Sequence, residues 1–294
     1  SRCQGSEAIV TAVKETEKKV KAPKLYDLTT LQREANRIYG MTAKQTLDTA
    51  QSLYEKKLIT YPRTDSQYLT EDMEQTARNV VRQIYEKYQL TGPFDQPEQP
   101  DVKKVMNNSK VTDHHAIIPT MELASCHLDE LKSWEEKILF LIAVHTVMAM
   151  SKDHIYQETE IEVECQGEIF KAKGKNVLQD GWKVFENCFK NKDRMAIVDP
   201  DQEMKERMPK VTQGQTFYAV AAEKTEHFTS PPKPYSEDTL LAAMETAGNK
   251  EFDEDTEKKG LGTPATRAGI IEKLIYSQYA TRKGKQILPT DDGK

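Results

Sequence analysis

Long apolar runs are missing from this chain of 294 residues. None approaches the ~20 residues a membrane-spanning helix requires, so a helical membrane protein is excluded. Cysteine is sparse. Cys3, Cys126, Cys165 and Cys188 are scattered and no CxxC pair occurs. That excludes a zinc ribbon and points to a reduced cytoplasmic protein. No signal peptide opens the chain. No Gly-rich nucleotide-binding loop is present, so ATP-driven chemistry is not expected. There are no internal repeats. A surplus of positive charge is lacking too. The formal net charge is 42 − 47 = −5, which argues mildly against nucleic acid. A local basic groove can still sit on an acidic body.

What is present divides by pattern. Residues 1–22 are a Glu- and Lys-rich lead-in whose Ile9, Val10 and Val13 fit either a strand or a short helix, and Pro23 marks a connector. Leu28, Leu31, Ala35 and Ile38 recur at helical spacing, with Thr29 or Thr30 as cap and Gly40 as stop. Thr42-x-x-Gln45 reads as a capping box for a second helix, with Leu47, Ala50, Tyr54 and Leu58 on one face. The pair fits a helix-turn-helix or an ordinary helical hairpin. Thr70 caps a third helix, and residues 129–150 form a long one dense enough in apolar residues to be buried.

From residue 154 the period changes to two. Thr159, Ile161, Val163 and Cys165 alternate with Glu158, Glu160, Glu162 and Glu164, which predicts a half-buried strand. Its acidic face reads as solvent exposure. Gln166-Gly167 is a hairpin turn before a strand at 169–173. Residues 182–185, 196–198 and 215–222 read as further strands. Ser236 caps another helix, residues 248–260 form a charged loop, and Thr266 opens a last helix. Trp134 and Trp182 are read as core residues.

One stretch carries chemistry: Leu58-Ile59-Thr60-Tyr61-Pro62-Arg63-Thr64-Asp65-Ser66. Pro62 pushes Tyr61 out of helical geometry. In extended backbone residues i and i+2 share a face, so Tyr61 and Arg63 point the same way. A phenol with pKa about 10 is a poor nucleophile near neutral pH. A guanidinium, however, suits a phosphate, whose transition state gathers charge on oxygen. The alternative is a buried Tyr beside a surface Arg. His114, before an apolar Ala-Ile-Ile, fits a structural residue or a phosphate contact. Thr266 at a helix start fits a plain cap or an anion site.

The stretch Ile59–Ser66 closely resembles the active-site motif of type IA DNA topoisomerases, in the form seen in bacterial topoisomerase III. Residues 25–35, 51–55, 114–120 and 262–268 extend the resemblance in the family's order. It implies an α+β multidomain arch. Residues 1–24 would be a lead-in strand and linker joining the gate. Residues 25–152 would form a helical, winged-helix-like domain carrying the tyrosine, 153–232 a β-rich gate or hinge, and 233–294 part of a helical DNA-binding domain. The resemblance makes Tyr61 the nucleophile that forms a 5′-phosphotyrosine, with Arg63 beside it. It gives His114, Thr60 and Thr266 contacts to DNA, with Arg267, Gln32 and Arg33 as further DNA contacts. It assigns Mg²⁺ to an N-terminal Toprim domain that this chain lacks, so no metal site is expected here. The implied partners are single-stranded DNA and that Toprim domain. The implied setting is a monomer in the bacterial cytoplasm at the nucleoid. The competing readings are a non-catalytic winged-helix DNA-binding module and a tyrosine recombinase. The latter fits poorly, since its tyrosine is C-terminal among several arginines.

Phosphate contacts release counterions, so single-stranded DNA affinity should fall steeply with salt. The net charge of −5 sets that affinity low. Titrating labelled oligonucleotides at two salt concentrations checks this, and equal affinity at both would mean that phosphates are not gripped.

Overall fold

A buried segment at residues 25–29 starts the helical part of the chain. In this computed structural model, which describes residues 2–90, 100–186, 209–248 and 260–294, helix α1 runs Leu28–Tyr39. Its N-cap is Asp27, one turn earlier in role than Thr29 or Thr30, because Asp27 accepts from the Thr30 N–H while the Thr30 hydroxyl returns the bond. Gly40, at φ 71°, ends the helix as expected. Helix α2, Ala43–Glu55, begins with the Thr42–Gln45 capping box and stops before Leu58. Helix α3, Glu74–Tyr88, follows a single 3-10 turn at Glu71–Met73, and the Thr70 side chain makes no cap hydrogen bond. Helix α4, Ser133–Ala149, is apolar on every side, and residues 138–150 are all buried. Its first turn is different. Trp134 is 45% exposed with the Lys137 ammonium 4.3 Å over its ring, which corrects the reading of Trp134 as core.

Two polar residues of α4, His145 and Glu135, tie the helix to its neighbours. His145 is buried, hydrogen-bonded to the Lys24 carbonyl and stacked on Tyr26 with ring centroids 3.7 Å apart. Burial holds it below the ordinary histidine range. Glu135 accepts from Ser52 at 2.7 Å, Lys56 at 2.6 Å and the Lys132 N–H at 3.0 Å. It thereby ties the C-terminal turn of α2 to α4.

The same compact unit, residues 23–151 with 232–294, takes in helices α5, Glu237–Thr246, and α6, Pro264–Tyr276, and the hairpin β5, Ala280–Lys283, with β6, Gln286–Pro289. Glu237 is the clasp: buried, it accepts from the Ala43 N–H at the start of α2 and pairs with Arg282.

The second unit, residues 1–22 with 152–231, is an antiparallel sheet in the order β3-β2-β1-β4. The lead-in resolves to a strand, β1, Ala8–Val20. Strand β2, His154–Cys165, and β3, Glu168–Gln179, turn at Gln166-Gly167, both at positive φ. The glutamates of β2 are not bare acid. Glu160 and Glu162 each pair with the facing Lys173 and Lys171 of β3, and Lys14 of β1 faces Glu160 from the other side. Two strand expectations fail. Residues 182–185 lie in a 3-10 helix, Gly181–Glu186, held by the Trp182 indole donating to Val20, and 215–222 yields only the short β4, Thr216–Phe217. The strand expected at 196–198 and most of the charged loop at 248–260 lie outside the described residues. Among the described residues no helix is long and apolar enough to cross a membrane.

Two carboxylates give opposite acid responses. Burial pushes Asp27 up to about 6, against the opposing bonds from Thr30. Its folded form therefore holds a proton that the unfolded form releases, and stability falls as pH rises from about 4 to 6. Burial also acts upward on Glu135, but bonds from Lys56, Ser52 and Lys132 override it and bring the group down to about 2. That contribution is complete above about 4.5 and lost as pH falls toward 2, with a size on the order of 2–3 kcal/mol. Denaturant unfolding across pH 3–7 should show Asp27→Asn flattening the upper slope and Glu135→Gln flattening the lower one.

Candidate active site

Residues 58–66 are irregular backbone with bends at 58, 60, 62 and 63, and from 61 onward their burial alternates. Pro62, Thr64 and Ser66 are buried; Tyr61 is half-buried, and Arg63 and Asp65 are exposed. Tyr61, Arg63 and Asp65 are thus the less buried positions of the segment, although it bends at 62 and 63 and is not the regular extended backbone expected. The buried side is stitched to residues 114–120. Thr60 N–H donates to the Ile118 carbonyl, and Thr120 N–H donates to that of Leu58, each at 3.0 Å. The Thr60 hydroxyl donates to the Ala116 carbonyl and accepts from the Ile118 N–H, both at 3.0 Å. The Thr64 hydroxyl donates to the His114 carbonyl at 2.8 Å and accepts from the Ser66 N–H. These bonds set the position of His114 relative to Tyr61. Their rings tilt together at 45° with centroids 4.3 Å apart.

Beside that pair lies a cleft of about 210 Å³ lined by Arg63, Thr64, Asp65, Asp113, His114 and the first residues of α6, Thr263, Pro264 and Ala265. Helix α6 starts here for local reasons. Gly262 sits at φ 69°, where a Cβ would press on Ile270 and Thr266, Thr263 is the N-cap, and Pro264 occupies the first turn. A helix N-terminus presents unpaired N–H groups and positive potential, so the cleft faces an anion with a guanidinium, an imidazole and a helix start.

The remaining sequence candidates lie elsewhere. Gln32 is fully buried and donates to the Ala43 carbonyl. Arg267 is 3% exposed and donates to Thr29 at 3.0 Å, Leu261 at 3.1 Å and Gly262 at 3.2 Å. Both expected DNA contacts therefore have their side chains turned into the protein in this structure. Both sit on the inward stripe of their helices. Arg33 is engaged by Asp238 of α5 at 2.8 Å. The Thr266 hydroxyl accepts from the Thr263 N–H at 2.8 Å, so it closes the cap beside the cleft and does not line it. Sequence reasoning missed Asp65, Asp113 and Thr263. Their signals were available: parity with Tyr61 and Arg63, adjacency to His114, and a Thr-Pro pair opening a helix. Among the described residues no group of three or more His, Cys, Asp or Glu side chains gathers as a metal site.

A model of the DNA topoisomerase family matches residues 1–294. DNA topoisomerase 3 of Bacillus licheniformis is 39% identical over 309 residues, covering 99% of this chain and 40% of that protein. DNA topoisomerase 3 of Haemophilus influenzae is 36% identical over 304 residues, covering 100% of this chain and 44% of that protein. Among solved structures, full-length topoisomerase I from Thermotoga maritima superposes with a TM-score of 0.70 at 25% identity, over 98% of this chain and 44% of that one. The chain thus spans about 40% of the length of these relatives.

Arg63 and Arg267 should separate in their effect on folding. Arg267→Met leaves its buried acceptors unpaired and should cost on the order of 3 kcal/mol in denaturant unfolding. Arg63→Ala, at an exposed position, should stay within about 0.5 kcal/mol of the parent.

Proposed function

We propose, from the premise that the chain belongs to the DNA topoisomerase family, that it carries the nucleophilic half of a type IA topoisomerase centre. In the complete protein that centre would break, pass and rejoin single-stranded DNA. The observation that supports this reading is the ring contact of Tyr61 with His114 at the edge of a cleft holding Arg63 and the start of α6.

The Tyr61 hydroxyl oxygen attacks a backbone phosphorus. The P–O3′ bond breaks, the phenolic proton is lost, and the leaving 3′-oxygen gains one. The products are a 5′-phosphotyrosine and a free 3′-hydroxyl, whose return attack reverses every step. Bond energy stays in the covalent link, so no nucleotide is consumed. Arg63 supplies a forked donor to the phosphoryl oxygens, His114 a second donor, and the start of α6, through the Ala265 N–H and the helix dipole, a third source of positive potential. Thr60 acts through the backbone, by fixing the segment on which Tyr61 stands, and Thr266 by closing the α6 cap. Arg63 is not the proton donor to the leaving group, because a guanidinium holds its proton too tightly.

Magnesium, which the family resemblance implies, does not fit the residues described. Asp65 and Asp113 line the cleft, but no third ligand joins them. No step is routed through a metal here, and the acid that protonates the 3′-oxygen is assigned to another part of the protein. The sheet of residues 1–22 and 152–231 is the proposed hinge of the strand gate, since rejoining after passage needs the tyrosine to separate from the other DNA end. The working setting is a bacterial cytoplasm, with the protein a monomer on negatively supercoiled or linked DNA. A non-catalytic winged-helix module would explain α1 and α2 but not a phenol held against a histidine beside an anion-facing cleft.

This chain alone, incubated with 3′-labelled single-stranded DNA and Mg²⁺, should give no covalent adduct on a denaturing gel. Adding a piece that carries the family's metal-binding domain should restore the adduct, and Tyr61→Phe should abolish it. Cleavage by the chain alone would show that its centre is already complete.

A further inference from the structure

Tyr61 meets a second ring that the proposed chemistry does not use. Tyr54, in the last turn of α2, stands edge-to-face against it, with centroids 5.4 Å apart and planes at 77°. We propose that Tyr54 is a positioning residue for the nucleophile, holding the Tyr61 ring against His114 so that its hydroxyl is presented to the cleft. This rests on the reading of Tyr61 as nucleophile.

The backbone of Tyr61 is anchored, since Ile59 and Thr60 pair with residues 118–119. The side chain is not: among the described residues no hydrogen bond holds the phenol. Its direction therefore depends on two torsions and on what the ring packs against. Two rings contact it, Tyr54 and His114. His114 is exposed and is the one expected to engage phosphate, which leaves Tyr54 as the fixed contact. Tyr54 is suited to that part. The neighbouring Leu53 is fully buried, and Ser52 and Lys56, on either side of it, are held by Glu135 of α4. The Tyr54 Cα thus stands on a rigid turn. Its own side chain is 39% exposed, so it adds little to the core. An edge-to-face pair has a preferred geometry rather than mere contact area, and in-line attack needs such orientation.

The test uses the full-length enzyme. Covalent adduct formation on a labelled oligonucleotide is followed in single turnover at saturating DNA, with affinity measured separately by fluorescence anisotropy. Tyr54→Ala should slow adduct formation on the order of 10-fold with affinity within about twofold of the parent. Tyr54→Phe, which keeps the ring, should restore the rate. Tyr54→Leu fills the space without an aromatic edge and should remain slow, which covers the case in which alanine disturbs the fold. The proposal is overturned by a Tyr54→Leu rate equal to the parent. It is equally overturned by a Tyr54→Phe rate as low as alanine's, or by variants that lose affinity and keep the rate. An adduct that persists in Tyr61→Phe would instead overturn the reading of the nucleophile itself, whatever the Tyr54 variants do.

Discussion

Backbone pairing between residues 58–60 and 116–120 is the constraint on which the site depends. Two threonine hydroxyls reinforce it, Thr60 between Ala116 and Ile118 and Thr64 on His114. Both are shielded from water to a large degree, so each bond removed would leave a partner unmet rather than re-solvated. The pairing does more than hold two loops together. It fixes the position of the Tyr61 phenol relative to an imidazole that lies 53 residues later in the chain. It also uses Thr60 and Thr64 for anchoring and leaves Tyr61, Arg63 and Asp65 less buried. A helix in this place would spread those three side chains around its circumference.

The charge pattern follows the same division between anchoring and function. The protein is acidic overall, yet much of that acid is spent internally. The β2 glutamates face lysines on β3, Glu135 holds Lys56, and Glu237 holds Arg282. At the cleft Arg63 makes no ion pair among the described residues, and the α6 N-terminus adds positive potential. Two carboxylates, Asp65 and Asp113, share the lining and temper that potential. Net charge averages over these arrangements, and so was a weak guide to what the surface can bind.

Much of the fold was legible because its signals are local. The Thr42–Gln45 box, the Gly40 stop, the Gln166-Gly167 turn and the period-two run of β2 each depend on residues within a few positions. The Tyr61–Arg63 parity was legible for the same reason, and the family resemblance supplied His114. What was not legible is decided by distant partners. Gln32 and Arg267 carry donors, and donors read as surface; only the packing of α1 against α2 and α6 turns them inward. Trp182 sits in a 3-10 turn because Val20, from the opposite end of the sequence, offers a carbonyl. Trp134 is exposed because α4 begins before the core does. Asp27 displaced Thr29 as cap by one choice among adjacent polar residues, which periodicity does not resolve.

The two walls of the cleft are held by different means, and this has a mechanical consequence. The Tyr61–His114 wall is closed by hydrogen bonds between two neighbouring extended segments. The α6 wall is carried by residues roughly 200 positions away and reaches the first helix through the buried Arg267–Thr29 bond, with Glu237 and Arg33–Asp238 bracing α5 beside it. Of the three acceptors of the Arg267 guanidinium, Leu261 and Gly262 belong to the entry of α6 and only Thr29 belongs to α1, so one directional bond ties this wall to the first helix. A force that drew α6 away would strain that bond without acting directly on the pairs between residues 58–60 and 116–120. Tyr61 and His114 would stay in register while the α6 start moved. In a protein whose proposed cycle opens and closes a gate, that arrangement preserves the reacting pair and lets the grip on the phosphate change.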